Sequence, residues 1–209
     1  MNRTDFINYV APYAVAACKD TGVLPQVAIA RAIIESGDGT GNYATNALQT
    51  EDNNFFGMTY TGTGDYTLVK TWEGYKIPVT PPAEYLGTQQ VGTTTRYIYN
   101  RPFKSYNSPL ESFQDFVRLM QTSRYKAALN ATDTATQAAI ISDAGYATAP
   151  NAKSLFVEVA NEVDDMWSDI ETYVSSHPIE AAAIGGSITG IVVLIIFLLM
   201  AYFAENKTA

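Results

Sequence analysis

Cysteine and histidine are nearly missing from this chain of 209 residues: Cys18 and His177 are its only examples. One thiol cannot close a disulfide within the chain or build a cysteine-based metal site. One histidine, far along the chain from any candidate nucleophile, removes the usual Ser-His-Asp machinery. Cys18 falls in the helical spacing Ile7, Val10, Ala14, Cys18 and reads as a small core residue. Basic residues are also few. Lys and Arg number 13 against 21 Asp and Glu, for a net charge of −8, so the basic footprint of a nucleic-acid partner is lacking. Sugars, read by hydrogen bonds and aromatic faces, are not excluded. There is no P-loop, dinucleotide fingerprint, HExxH or cysteine cluster. No cofactor and no metal are expected.

Charge is absent altogether from Ala181 to Ala204, a run of 24 apolar or uncharged residues between Glu180 and Glu205. As a helix it would be ~36 Å long, enough to cross a lipid bilayer with some tilt. Tyr202 and Phe203 suit an interface. Gly186 and Gly190 form a GxxxG pair that would admit a helix partner. The expected layout is a soluble domain over 1–175, a linker over 176–180, a membrane span over 181–204 and a polar tail over 205–209. The N-terminus lacks the basic-then-apolar pattern of a secretory signal. Lys207 follows the span, and no Lys or Arg lies within 20 residues before it, which favours the soluble domain outside.

In the soluble part, residues 4–21 read as a helix capped by Thr4 or Asp5 and ended by Gly22. Residues 25–36 follow, with Pro25 in the first turn. Helical periodicity is then lost over 42–106, where Thr, Tyr and Gly dominate and most of the 14 tyrosines begin. Strands are expected at Tyr66–Thr71, Tyr75–Val79 and Thr94–Tyr99. Helices return at Pro109–Thr122, Ala135–Ser142 and Ala152–Val174. The fold class is α+β, mostly α: a helical lobe interrupted by a small β-lobe, the layout of lysozyme-like folds, with a substrate cleft between the lobes and a single C-terminal transmembrane helix.

One carboxylate stands out. Glu35 ends an apolar helix, after Ala32-Ile33-Ile34. Apolar surroundings and the negative end of a helix dipole both favour a protonated carboxyl, as a glycosidase general acid requires. An ordinary helix-end glutamate has the same local sequence.

The neighbouring residues narrow this. GVLPQVAIARAIIESGDGTG (22–41), NNFFGM (53–58), AEYL (83–86), RPFKSYNSPLESFQDF (101–116), RY (124–125) and AGYATAP (144–150) occur in that order. Together, over roughly residues 5–170, the chain resembles the peptidoglycan-cleaving β-N-acetylglucosaminidase family, which includes flagellar rod-associated hydrolases and bacterial autolysins. The resemblance implies that Glu35 is the catalytic acid. It implies that Glu84 is a second carboxylate, which positions a water or stabilises an oxocarbenium-like transition state. Tyr146 would hydrogen-bond substrate or the attacking water, or serve structure. Asn53 and Asn54 would bind an N-acetyl group or hold the loop, and Phe55 and Phe56 would be core. The chain departs from the family pattern at Asp38, where Trp is usual, at Ala149, where Asp is usual, and at NAK (151–153) in place of NYA. Asp38 would act at the substrate site as a replacement water-binder, or repel charge on Glu35.

The resemblance implies a peptidoglycan hydrolase of N-acetylglucosaminidase type acting on glycan strands, and the uncharged run implies that residues 181–204 hold it at a lipid bilayer. The expected setting is the internal membrane of a phage virion or a bacterial envelope. A muramidase or lytic transglycosylase on the same scaffold, and a non-catalytic glycan-binding or structural membrane protein, remain open alternatives.

Overall fold

The computed structural model describes residues 1–37, 39–146 and 151–179. Its first helix, α1 (Arg3–Cys18), begins one step earlier than the sequence predicts. Asn2, not Thr4 or Asp5, is the cap, and its side chain accepts from the Asp5 amide at 2.9 Å. Asp5 instead sits in the first turn, where its charge suits the dipole. The helix ends at Cys18, before Gly22. Gly22 still has a role: its φ is +82°, and a Cβ there would lie 3.1 Å from the Leu129 carbonyl oxygen. The turn into α2 therefore needs both the conformation and the missing side chain.

Helix α2 (Pro25–Ser36) buries Val27 through Ile33 without a break. A helix apolar on every side belongs in the middle of a body, and α1, α5 (Thr134–Asp143) and α6 (Ala152–Asp165) pack around it. Between them, α3 (Ala47–Thr50) is a single turn, and α4 (Pro109–Met120) packs against α1. Ser108 caps α4 by accepting from the Glu111 amide at 3.3 Å, and Glu111 reaches back to the Asn107 amide at 3.0 Å. The expected core face of α4, Leu110, Phe113, Phe116, Val117 and Met120, is buried. A 3-10 turn, Lys126–Asn130, leads to α5.

The single long helix expected over 152–174 is two, α6 and α7 (Trp167–Ser176), broken at Met166. Asp164 and Asp165 oppose the dipole at the end of α6, and the break lets Ile170 bury as α7 packs on α1.

The β-lobe is a three-stranded antiparallel sheet, β1 (Tyr66–Glu73), β2 (Glu84–Val91) and β3 (Thr94–Lys104), in the order β1-β3-β2. Tyr75–Val79, expected as a strand, is a loop. Pro78, Pro81 and Pro82 cannot donate to a ladder, and the buried Tyr99 hydroxyl accepts from the Ile77 amide at 2.8 Å. The missing strand is β2, joined to β3 through Gly92-Thr93. Its exposure lacks a two-residue alternation, so no apolar pattern marked it.

Phe116 ties the halves of the core together. Its ring stacks on Phe56 at 4.5 Å and meets the Tyr146 edge at 6.0 Å. Phe116→Ala should cost about 3–5 kcal/mol, read as a lower urea midpoint with an unchanged slope.

Among the described residues no helix is long and apolar enough to cross a membrane. The expected span 181–204, its Gly186 and Gly190, and the tail 205–209 lie outside the described residues, as do Asp38 and Ala149. The structure is a mostly helical α+β fold with a small antiparallel sheet.

Candidate active site

Glu35 occupies the last turn of α2, its side chain 30% exposed. One turn earlier on the same face is Arg31, which donates to Glu35 Oε1 and forms an ion pair with it. To the apolar surroundings and helix end expected for this carboxyl the structure adds a cation in contact. A contacting guanidinium favours its ionised form. Sequence reasoning missed Arg31, although its i, i+4 spacing from Glu35 is the signal for such a pair.

Arg31 is itself buried and held by rings. Its guanidinium carbon lies 4.4 Å from the centre of Tyr146 and 5.7 Å from that of Phe156. Burial pulls the Arg31 pKa below its usual value, and the Tyr146 and Tyr125 hydroxyls oppose this. Burial pushes the Tyr146 phenol up, with Arg31 pulling the other way, so Tyr146 keeps its proton at neutral pH. Tyr146 thus reaches the site through Arg31, from the turn after α5.

The other carboxylate oxygen, Glu35 Oε2, lies beside Gly57, where an added Cβ would come within 3.8 Å. Gly57 has φ +59°, and the turn that carries it is built by Asn54. The Asn54 side chain donates to the carbonyls of Met58 and Lys104, both at 2.9 Å, and accepts from the Met58 amide at 2.9 Å. It is fully buried, and these contacts are those of the loop-holding role, one of the two expected for it. Asn53 donates from its side chain to the Tyr106 carbonyl at 2.9 Å, again a loop contact. Phe55 and Phe56 are core, as expected. Asn54→Ala strands three backbone groups, at about 1–3 kcal/mol for each that stays buried. It should lower the melting temperature and activity together, since the Gly57 turn flanks Glu35.

Glu84 opens β2 on the other lobe. It is exposed, and its Oε2 accepts from the Asn100 side chain at 3.3 Å. A groove of about 440 Å³ lies between residues 59–62 and 77–83. The structure therefore gathers Glu35, Arg31, Tyr146 and Gly57 at the end of α2 and sets Glu84 on the sheet, with Asn54 beneath the connecting turn.

Asp115 of α4 fastens the lobes to each other. Lys104 Nζ donates to it at 2.7 Å, the Tyr106 hydroxyl at 2.6 Å and Arg118 at 3.0 Å. Burial would raise the Asp115 carboxyl, but these donors outweigh it and hold the carboxyl below its usual value. A depressed carboxyl stabilises the fold above its unfolded pKa and stops doing so as pH falls through the folded value.

No metal-ligating group of three or more His, Cys, Asp or Glu side chains exists among the described residues.

Comparison with known proteins agrees with this architecture. The chain is 29% identical over 163 residues to the peptidoglycan hydrolase FlgJ of Vibrio parahaemolyticus, covering 77% of this chain and 47% of that protein. It is 30% identical over 167 residues to its Vibrio cholerae counterpart, covering 79% and 45%. The chain thus spans about half the length of the curated relatives it matches. Among solved structures, a C-terminally truncated glycoside hydrolase domain of Salmonella typhimurium FlgJ matches with TM-score 0.59 and 25% identity, covering 79% of this chain and 99% of that one. The catalytic domain of the autolysin Auto from Listeria monocytogenes shares the fold, with TM-score 0.59 at 23% identity over 82% of this chain and 86% of that one. Residues 11–165 match the family model described as mannosyl-glycoprotein endo-β-N-acetylglucosaminidase, and the chain belongs to this glucosaminidase family.

Proposed function

We propose that the chain hydrolyses the β-1,4 glycan backbone of peptidoglycan, at the bond that follows N-acetylglucosamine. The observation that carries this is Glu35: partly exposed at the end of a buried helix, with one oxygen on Arg31 and the other beside the Gly57 turn. In its protonated form Glu35 gives its proton to the leaving glycosidic oxygen. Glu84, on the sheet, positions the attacking water or offsets the charge that develops on the sugar ring. Tyr146 holds Arg31 and, through it, the orientation of Glu35. In this reading Asp38, a departure from the family pattern in sequence, binds water or substrate. No cofactor is required. Similarity to the FlgJ peptidoglycan hydrolases supports the choice of substrate.

The test is digestion of purified peptidoglycan by the full chain, with product masses. New reducing-end N-acetylglucosamine supports the proposal. Reducing or anhydro N-acetylmuramic acid would replace it with a muramidase or lytic transglycosylase. The Arg31–Glu35 pair, which favours a charged carboxylate, also supports a second reading, a glycan-binding protein without catalysis. Binding to peptidoglycan with no fragment released would select that reading.

The organisation that goes with this function is a catalytic domain over 1–175, a linker over 176–180 and a membrane anchor over 181–204. It is supported by the uncharged run of the sequence. Gly186 and Gly190 would let two such anchors pack closely. The setting we infer is a lipid membrane facing the cell wall at the time of action: the internal membrane of a phage virion, or a bacterial envelope. The protein should then stay with membranes through an alkaline wash and should be found in purified particles. Its absence from particles, with recovery from host envelopes, would remove the virion setting.

A further inference from the structure

The two faces of the small sheet differ. Along β1, Thr67, Val69, Thr71 and Glu73 are half-buried, while Tyr66, Leu68, Lys70 and Trp72 are exposed. Strand side chains alternate between faces, so the exposed four form one row. Tyr66 is 41%, Leu68 40% and Trp72 51% exposed, along ~20 Å of strand. Pairing extends that face across the sheet. Lys70 stands opposite Asn100, and Asn100 opposite Glu84. A bulge between Tyr85 and Gly87 adds a residue to β2, which returns Gln89 to the same face, opposite Arg96. The Arg96 guanidinium carbon sits 4.3 Å from the centre of the Trp72 ring.

Charge sets this lobe apart. Residues 66–104 hold five Lys or Arg against two Glu, in a chain with 13 against 21. On the open face Lys70 and Arg96 accompany Glu84. Tyr66 leans on Tyr60 at 4.6 Å and Trp72 on Arg96, yet both rings stay 41–51% exposed in one row beside cations, a contiguous patch of the kind that marks a binding surface. They are suited to a ligand with both sugar faces and carboxylates.

We propose that the open face of β1 and β3 binds a glycan strand that carries acidic substituents. Sugar rings lie on Trp72 and Tyr66, and the carboxylates of the substituents meet Lys70 and Arg96. The strand then continues to Glu84, on the same face. This deepens the peptidoglycan reading and rests on it for the position of Glu84. It makes the sheet a wall that holds the polymer, separate from the proton transfer at Glu35.

The experiment measures binding of the full chain carrying Glu35→Gln, so that the ligand stays intact. The ligands are soluble peptidoglycan strands and, as an uncharged control, chitin oligomers. Trp72→Ala should weaken both by about tenfold, the scale of one lost aromatic stacking surface. Lys70→Glu should weaken the acidic strands and leave chitin unchanged. Circular dichroism of the two surface variants should match the parent. Unchanged affinity in Trp72→Ala overturns the proposal. Equal losses on both ligands in Lys70→Glu overturn its charge assignment. The two readings fail separately. Digestion by the parent chain with Trp72→Ala binding normally removes the wall and keeps the hydrolase. No digestion, with binding lost in Trp72→Ala, removes the hydrolase and keeps the wall.

Discussion

Glu35→Gln should leave the fold intact and lower release of fragments from peptidoglycan by about 10²–10⁴-fold, the usual contribution of a positioned general acid. The amide matches the carboxyl in shape and can still face Arg31 and the Gly57 turn, so packing at the end of α2 is kept. What it cannot do is give a proton to the leaving oxygen. The readout is the rate of product formation beside the thermal midpoint of the same preparation. A variant as active as the parent would exclude Glu35 as the acid. A variant that has lost both activity and its melting transition would show a structural role, and Glu35→Asp, which keeps the acid on a shorter stem, would then separate the two.

Arg31→Gln should move the alkaline limb of the pH–rate profile to higher pH. The sign follows from charge. A cation in contact with a carboxyl favours the ionised form, whereas a general acid must arrive protonated. Without Arg31, more of Glu35 holds its proton at any given pH, so activity persists further into the alkaline range. Among the described residues, the groups around Arg31 add no competing negative charge. Tyr146 and Phe156 present rings, the raised Tyr146 phenol keeps its proton, and Glu35 is its only ion-pair partner among the described residues. Stability should also fall, by about 1–3 kcal/mol, as the ion pair and the cation–π contact are lost. An unmoved limb with a lower rate at every pH would instead make Arg31 a residue that only orients Glu35. Arg31→Lys should restore the limb, since it restores the charge, but not the full stability, since an ammonium lacks the planar stacking of a guanidinium.

Much of the helical body is legible in the sequence. Helix α2 announces itself by Pro25 and an unbroken apolar run, and its bounds agree with expectation. The face of α4 follows from the spacing of Leu110, Phe113, Phe116, Val117 and Met120. The departures share a cause: the deciding interaction lies outside the local pattern. The Tyr75–Val79 segment has strand-like residues, but prolines around it and the Tyr99 hydroxyl make it a loop. Strand β2 has no buried stripe and exists because β3 offers it a ladder. The long final helix breaks at Met166, where two aspartates meet the end of α6 and α7 turns to pack on α1.

The site divides the same way. The sequence by itself determined the residue types and their order: a carboxyl ending an apolar helix, an Asn-Asn-Phe-Phe-Gly turn, a glutamate beyond the prolines and a tyrosine after α5. Those features depend on spacing along the chain, which a sequence displays directly. Only the tertiary structure decided what each one touches. It spent the Asn54 amide on backbone carbonyls 4 and 50 residues away. It laid Tyr146 over Arg31 from the turn after α5, and it set Glu84 on the open, cation-bearing face of the sheet through its pairing with Asn100. Burial, charge contact and strand register arise between segments distant in sequence, so these assignments appear only once the chain has folded.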